Sequence, residues 1–377
     1  MYTSPSSLGQ SLSIVTLFVL SLTSISSYAE EIERSENQMP VVIDNSLHQT
    51  QEQMDNRLNA VAVDDTANDP IDTNHAGTWM FEYGYMRTFQ KDALNITSAI
   101  DAKDTLQNPA FTKDRSYGTG SDVLTNAGYR RNMDMHMLMV KYKQTRELSW
   151  MVMFNYLYNK MNVWNQMLPT DLPTSFVMDA RGMGDTQVLL TYQFAQTSLF
   201  DISVTGGINL PTGSIDESDD ITSSITGSEG IAPYYMQRGS GTYDIHSKLT
   251  VEGDKGGFNY GAEVYRITRT GFNAQYYNMG DKLKFWGWAR YRFSFGTQIR
   301  SSVVQSVSSQ VIGRDERIAD NTRYTGGKRL DASLGLGQAL GDFAIYVDYA
   351  YPVLQRVNGV QMKTTGVLSA GLQFMYM

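Results

Sequence analysis

The chain has 377 residues, no cysteine and a formal net charge of −8. The lack of cysteine excludes a disulfide framework, a cysteine-based zinc site and the lipid-anchored cysteine of a lipoprotein. The acidic balance argues against a nucleic-acid partner, because such binding rests on clustered Lys and Arg. A mean hydropathy of −0.33 excludes a membrane protein built from many helices.

The N-terminal residues 1–29 are predicted to be a secretory signal peptide. An apolar run over residues 12–25 is followed by the small-residue cleavage pattern Ser27-Tyr28-Ala29. The run is shorter than the roughly 20 residues that a membrane-spanning helix needs. A single N-terminal anchor helix is the alternative interpretation.

Residues 30–74 are acidic and rich in Asn, Gln and Asp, with little hydrophobic periodicity. This composition is typical of a segment that does not form a core of its own. The sequence therefore predicts a flexible periplasmic segment, and a plug that folds into the lumen of the following domain is the alternative.

From Trp79 the polarity of the chain alternates with a period of two, as in half-buried β-strands. In the first such stretch Trp79, Phe81 and Tyr83 fall on one face, whereas Met80 and Glu82 fall on the other. Twelve stretches of this kind are predicted. They lie near 78–89, 132–144, 148–160, 183–195, 200–211, 242–253, 258–269, 282–294, 298–310, 328–340, 343–354 and 363–376.

The connections between these stretches are alternately short and long. This rhythm is typical of a transmembrane antiparallel up-and-down β-barrel, whose periplasmic turns are tight and whose external loops are long. The sequence thus predicts an all-β barrel of about twelve strands over residues 75–377, surrounded by lipid in the outer membrane of a Gram-negative bacterium. Its last strand, 363–377, resembles the terminal strand by which the outer-membrane assembly machinery recognises its substrates.

If the apolar faces meet lipid, the polar faces line the interior. The candidate pore-lining residues are Glu82, Asp134, His136, Asp185, Asp244, His246, Glu263, Trp286, Trp288, Arg290, Arg292, Arg329 and Asp331. Such charges either fill a narrow barrel with ion pairs or give a channel its selectivity. In each of the pairs Asp134/His136 and Asp244/His246, the spacing of two places carboxylate and imidazole on one face.

The alternating run Met133, Met135, Met137 and Met139 is predicted to face lipid, where methionines serve as flexible apolar surface. A methionine-lined metal path is the weaker alternative. No catalytic, cofactor-binding or metal-binding residue is predicted. His246 and Ser247 fall on opposite faces of a strand, and the motifs GxSxG, HExxH and GxxxxGK[ST] do not occur. The chain is therefore not expected to be an enzyme.

Several segments distributed over residues 75–377 carry a family pattern. They are His75 to Met86, Met135 to Leu138, Gly182 to Thr186, Leu210 to Asp216, Met236 to Asp244, Gly280-Asp281 and Gly327 to Asp331. These segments resemble the outer-membrane transporter family associated with the meta-pathway of phenol degradation, which is related to the fatty-acid and aromatic-hydrocarbon channels. The resemblance implies a barrel that passes hydrophobic or aromatic solutes.

The predicted function is an outer-membrane channel for passive uptake of small solutes, hydrophobic or aromatic rather than ionic. In this hypothesis the loops 90–131 and 212–241 form an external cap. Its apolar capture residues are Phe111, Tyr117, Tyr129, Tyr234 and Tyr235. The alternatives are a closed structural or adhesion barrel without transport and, third, an outer-membrane hydrolase.

Overall fold

The structure is a computed structural model, and it describes residues 76–107, 126–165, 174–197, 199–218, 232, 234–313 and 325–376. The predicted signal peptide, the segment 30–74, and the residues Phe111 and Tyr117 lie outside these ranges. Sixteen strands are present in the described part of the chain. They are β1 (Trp79–Asn95), β2 (Ser98–Ile100), β3 (Asn126–Lys143), β4 (Leu148–Asn165), β5 (Thr174–Met183), β6 (Thr186–Gln196), β7 (Asp201–Leu210), β8 (Asp244–Lys255), β9 (Phe258–Thr268), β10 (Tyr277–Asn278), β11 (Lys282–Arg292), β12 (Thr297–Ser308), β13 (Ile312–Gly313), β14 (Gly327–Leu340), β15 (Phe343–Val357) and β16 (Val360–Tyr376).

Helical structure is confined to two short elements in the described residues. A helix α1 covers Ala102–Gln107, and a 3₁₀ helix covers Tyr234–Met236. Within the described ranges, no helix is long and apolar enough to cross a membrane.

Fourteen of these strands form one closed antiparallel sheet that follows the order of the chain, and β10 and β13 pair with each other in a separate two-stranded sheet. β16 returns to β1, with a register that runs from Trp79 opposite Tyr376 to Asn95 opposite Val360. β4 pairs first with β6 and then with β5, so β5 and β6 are two halves of one barrel strand with a break at Gly184 and Asp185. β2 folds back on the end of β1 and pairs with it antiparallel, from Ala93 opposite Ile100 to Asn95 opposite Ser98. The prediction of a barrel of about twelve strands is confirmed.

The tight connections predicted at one end of the barrel are present. The turn between β8 and β9 is formed by Gly256 and Gly257, with φ angles of +63° and +81°. Positive φ at both central residues of a two-residue hairpin is favoured by the twist of the flanking strands, and glycine adopts it without a steric cost.

Several barrel strands are longer than the sequence predicted. β3 begins at Asn126 rather than at 132, and much of the predicted loop 161–182 belongs to β4 and β5. The prediction assumed strands just long enough to cross the hydrocarbon layer. A pair of antiparallel strands can extend beyond this layer where its side chains pack against another part of the protein. Here the inward side chains of Met161 and Met178 pack with Met236 from the loop after β7.

The outer face of the barrel is apolar, as the alternation predicted. Its exposed side chains include Trp79, Phe81, Trp150, Phe154, Phe194, Ile245, Phe285, Leu334, Leu336, Val347 and Leu372. Side chains between these positions point to the interior and are buried or half-buried. The apolar belt suits contact with lipid. Closure of the barrel lets the backbone polar groups of the strands form their hydrogen bonds within the protein.

The face of β3 was predicted wrongly. Met133, Met135, Met137 and Met139 are buried in the interior, whereas His136 and Leu138 are exposed on the outer face with Asp134 beside them. The register with β1 decides the face, because His136 lies opposite the outward Tyr85. Hydropathy misled the prediction because the interior wall at this place is itself apolar.

The outward polar groups of β3 are satisfied by residues of β1. Tyr85 Oη donates to Asp134 Oδ1 at 2.5 Å, and Arg87 Nε lies 3.0 Å from the same oxygen. Tyr83 Oη lies 2.7 Å from His136 Nδ1. Asp134 and His136 are therefore not pore-lining residues.

Candidate functional site in the barrel interior

One wall of the interior is lined with methionine. This methionine wall comprises the buried inward residues Met86, Met133, Met135, Met137, Met139, Met151, Met153, Leu157 and Leu189, with Ala350 and Val367 at its edge. It belongs mainly to β1, β3, β4 and β6. Methionine side chains are unbranched and polarisable, so this wall is an adaptable apolar surface.

The opposite wall is polar and aromatic. β11 is the sixth barrel strand from β3 in either direction around the sheet, so the two strands face each other across the interior. Trp286 and Trp288 project inward from β11, with ring centroids 4.2 Å apart and an interplanar angle of 30°. Trp288 Nε1 donates to Asn259 Oδ1 at 3.0 Å, which satisfies its buried donor.

Basic side chains flank the tryptophan pair along the same strand. Lys282 and Lys284 precede the pair and Arg290 and Arg292 follow it, all on the inward positions of β11. The neighbouring strands carry basic and acidic groups in close pairs. The pairs are Lys248 with Glu263 at 3.4 Å, Arg300 with Asp348 at 3.7 Å, Arg329 with Asp331 at 2.8 Å, and Arg269 with Asp244 in direct contact.

A loop between β7 and β8 turns into the mouth of the barrel. Its described residues 211–218, 232 and 234–243 lie against inward side chains of the wall. The Tyr235 carbonyl accepts from Arg131 Nη2 at 3.0 Å, and Met236 Sδ accepts from Asn159 Nδ2 at 3.3 Å. This in-turned loop therefore narrows the barrel on the side of β3 and β4.

Asp185 anchors the in-turned loop. It sits at the break between β5 and β6, is fully buried, and accepts hydrogen bonds from the backbone N–H of Gly213 (2.9 Å) and Ser240 (2.7 Å). Its second oxygen also accepts from Ser240 Oγ at 2.7 Å and from Asn209 Nδ2 at 3.1 Å. One carboxylate thus joins both ends of the loop to the barrel wall.

Tyr234 of the in-turned loop contacts the connections of the opposite wall. Tyr234 is 1 % exposed and packs with Tyr277 and Val311, with the two tyrosine ring centroids 5.2 Å apart. Tyr277 and Val311 belong to the connections after β9 and β12. These contacts close part of the mouth with aromatic side chains.

Most of the candidate pore-lining residues project into the interior. They are Glu82, Asp185, Asp244, His246, Glu263, Trp286, Trp288, Arg290, Arg292, Arg329 and Asp331. Asp185 and Asp244 have structural partners there, since one anchors the loop and the other pairs with Arg269. A pore-lining role of this set remains a prediction.

Two features of the interior were not found from the sequence. The methionine wall was assigned to lipid, although its spacing of two was visible in the run from Met133 to Met139. The in-turned loop was predicted as part of an external cap, yet Tyr234 and Tyr235 lie within the mouth. Tyr129, another predicted capture residue, stacks on Trp164 with centroids 4.6 Å apart.

The histidine of the interior is engaged with an aromatic partner. His246 Nδ1 contacts Tyr265 Oη, and the two rings stack. Ser247 follows on the other face of β8, as predicted. Among the described residues, no group of three or more His, Asp or Glu side chains could hold a metal ion.

Comparison with solved structures places the fold. The crystal structure of an outer membrane channel from Pseudomonas putida F1 matches with a TM-score of 0.53 and 10% identity, over 80% of this chain and 96% of that chain. This chain has the fold of an outer-membrane β-barrel. With its apolar belt, the fold places the protein in the outer membrane of a Gram-negative bacterium.

Two further outer-membrane structures are more distantly similar to this barrel. The CymD monoaromatic hydrocarbon channel matches with a TM-score of 0.38 and 9% identity over 84% of this chain and 92% of its own. A FadL homologue from Pseudomonas aeruginosa matches at 0.34 and 10% over 82% and 91%. No protein-family model matches the chain, and the search of curated proteins found no match.

Proposed function

We propose that this barrel is a channel for passive passage of small apolar or aromatic solutes through the outer membrane. The observation that carries the proposal is the pairing of dissimilar walls across the interior, with methionines on β3 and stacked tryptophans on β11. An aromatic ring between them meets polarisable thioethers on one side and indole faces on the other, and both contacts are favourable.

The shared fold supports a channel more than any other activity. The structure that matches best among those described above is an outer membrane channel and is covered along 96% of its length. The sequence resemblance to the family associated with phenol degradation supports aromatic solutes. The basic residues of β11 would attract a phenolate or carboxylate on such a ring.

A closed barrel without transport is the second candidate. It is favoured by the in-turned loop, whose contacts with Arg131 and Asn159 fill the mouth on one side. A barrel of this size is near the limit at which side chains fill the interior. The two candidates differ in one measurable property, because a filled barrel conducts no ions.

Liposome swelling and planar-bilayer recording on the refolded full chain test the proposal. Small phenolics are expected to enter vesicles faster than sugars of similar size, and single-channel steps are expected in the bilayer. Replacing both Trp286 and Trp288 with Ala is expected to reduce the preference for phenolics. Trp150→Ala is the matched control, because Trp150 is exposed on the outer face. Silence of the wild-type barrel toward every solute would favour the closed alternative.

The channel proposal needs no catalytic residue, and we propose that the chain is not an enzyme. His136 faces the outside and contacts Tyr83, whereas His246 contacts Tyr265 in the interior. If either histidine were catalytic, His136→Ala or His246→Ala would abolish a lipase or protease activity of the purified barrel. We expect no such activity in the wild-type protein.

A further inference from the structure

The methionine wall contains two pairs of methionines that face each other across neighbouring strands. Met86 on β1 lies opposite Met135 on β3, and Met139 on β3 lies opposite Met153 on β4. Residues that are directly opposite in an antiparallel pair have Cβ atoms roughly 4.5–5.5 Å apart. Each thioether is carried on a flexible chain, so the two sulfurs of a pair can converge on a single ion.

A buried carboxylate stands in the same row as one of these pairs. Glu82 on β1 lies opposite Met139, so Glu82, Met139 and Met153 follow one another across three strands. All three side chains are buried. Glu82 Oε1 accepts from Tyr346 Oη at 2.9 Å, but Oε2 has no hydrogen-bond partner among the described residues.

The next row toward the external end holds Gly84, a single methionine and an amide. Met137 lies opposite Asn155 on β4. Asn155 Nδ2 donates to the Asp185 carbonyl at 2.8 Å, whereas Asn155 Oδ1 has no partner in the described structure. Buried oxygens without a donor are uncommon in folded proteins and call for an explanation such as an ion.

We propose that Glu82, Met139 and Met153 form a binding site for a soft monovalent cation of the Cu⁺ or Ag⁺ class. Thioethers are soft ligands that select such ions over Mg²⁺, Ca²⁺ or Zn²⁺. The sulfurs are neutral, so the Glu82 carboxylate balances the charge of the ion in the interior. The pair of Met86 and Met135 lies two rows further along the same wall and offers a second position.

The rest of the chain offers little competition for such an ion. It has no cysteine, so the thioethers are its only sulfur ligands. The described residues contain no cluster of His, Asp and Glu that could hold a metal ion in their place. The proposed site concerns binding, and it does not depend on whether the barrel passes apolar solutes.

Titration of the refolded full chain with Ag⁺ tests the site, because Ag⁺ needs no reductant. The bound metal is measured after desalting into buffer with Na⁺ and Mg²⁺. We expect at least one equivalent of retained Ag⁺ and a higher melting temperature with the metal. Protein in which norleucine replaces methionine keeps every histidine and carboxylate, and it is expected to retain no Ag⁺.

Variants locate the ion within the wall. The double change Met139→Leu/Met153→Leu preserves side-chain volume and is expected to remove the retained equivalent. Glu82→Gln is expected to weaken Ag⁺ binding by about tenfold, the size of effect seen when one partner of a metal site is removed. Met183→Leu is the matched control, since Met183 is exposed on the outer face of β5. Heat-modifiable migration in gels shows that each variant has folded.

Equal Ag⁺ retention by wild-type protein and the double variant would overturn the site, as would equal retention by the norleucine protein. Loss of Ag⁺ retention in the double variant, with retention kept in Met183→Leu, would support the cation site whatever the uptake of phenolics. Normal Ag⁺ binding by a barrel that conducts nothing would support the site and contradict the channel alone.

Discussion

Asp185 shows how one buried side chain can hold an entire loop. It accepts four hydrogen bonds, and its donors come from Gly213, Ser240 and Asn209. A carboxylate at this position replaces the water that the backbone N–H groups of the loop would otherwise require. The residue was predicted as pore-lining, yet its partners show that it positions the loop that narrows the mouth.

Asp185→Ala is therefore expected to destabilise the barrel by about 3 kcal/mol, because buried donors lose a charged acceptor. The change is measured by urea unfolding, followed through tryptophan fluorescence. Asp179→Ala is the control, since Asp179 is an exposed aspartate on β5. Identical unfolding midpoints for the two variants would show that Asp185 does not anchor the loop.

Asp134 and Arg87 form an ion pair. The energetic cost of placing either charge at this position depends on the presence of the other. They lie on the outer face, where Tyr85 also donates to Asp134. Asp134→Ala is expected to destabilise the barrel, because it leaves a cation at the lipid surface without its counter-ion. The double variant Arg87→Leu/Asp134→Ala is expected to recover stability, with a coupling energy of about 1 kcal/mol or more in a double-mutant cycle. Additive losses in that cycle would contradict the pairing.

The barrel strands were predictable in number and in most of their bounds. A period of two identifies a strand wherever one face is apolar and the other polar, as in Trp79 to Tyr85. It points to the wrong face in β3, because the methionines that face the interior are more apolar than Asp134 and His136 on the outer face. β5 was not predicted as a strand. Its inward residues pack on the in-turned loop, which is distant from β5 in the sequence.

The in-turned loop is expected to control the conductance of the barrel. Tyr234 joins it to Tyr277 and Val311 on the opposite side of the mouth. Tyr234→Ala removes this contact and is expected to raise single-channel conductance, because the described part of the loop then has fewer contacts with the opposite side of the mouth. Tyr243→Ala is the control in the same loop, since Tyr243 is 61% exposed. Equal conductance in the two variants would show that the tyrosine contact does not restrict the mouth.

The whole barrel divides polarity in two directions. The first division is between the two faces of the sheet: the outer face is apolar because lipid covers it, and the inner face carries the polar side chains. Within the interior, the division runs around the sheet, from the methionines of β3 to the charges and tryptophans of β11. The first division is readable from sequence because it alternates along every strand. The second is not, because it depends on which strands face each other after the sheet has closed.

Membrane location makes a quantitative prediction for the apolar belt. Leu334 lies near the middle of β14 and is 65% exposed, whereas Leu340 lies at its end beside the Gly341 turn and is 55% exposed. An arginine near the bilayer midplane costs about 2–4 kcal/mol, and near the interface at most about 1 kcal/mol. Leu334→Arg is therefore expected to destabilise the barrel in lipid vesicles far more than Leu340→Arg. Because both leucines are exposed on the outer face, a difference that appears in vesicles and is lost in detergent micelles reports depth in the bilayer. Equal effects in vesicles would place the belt outside the membrane.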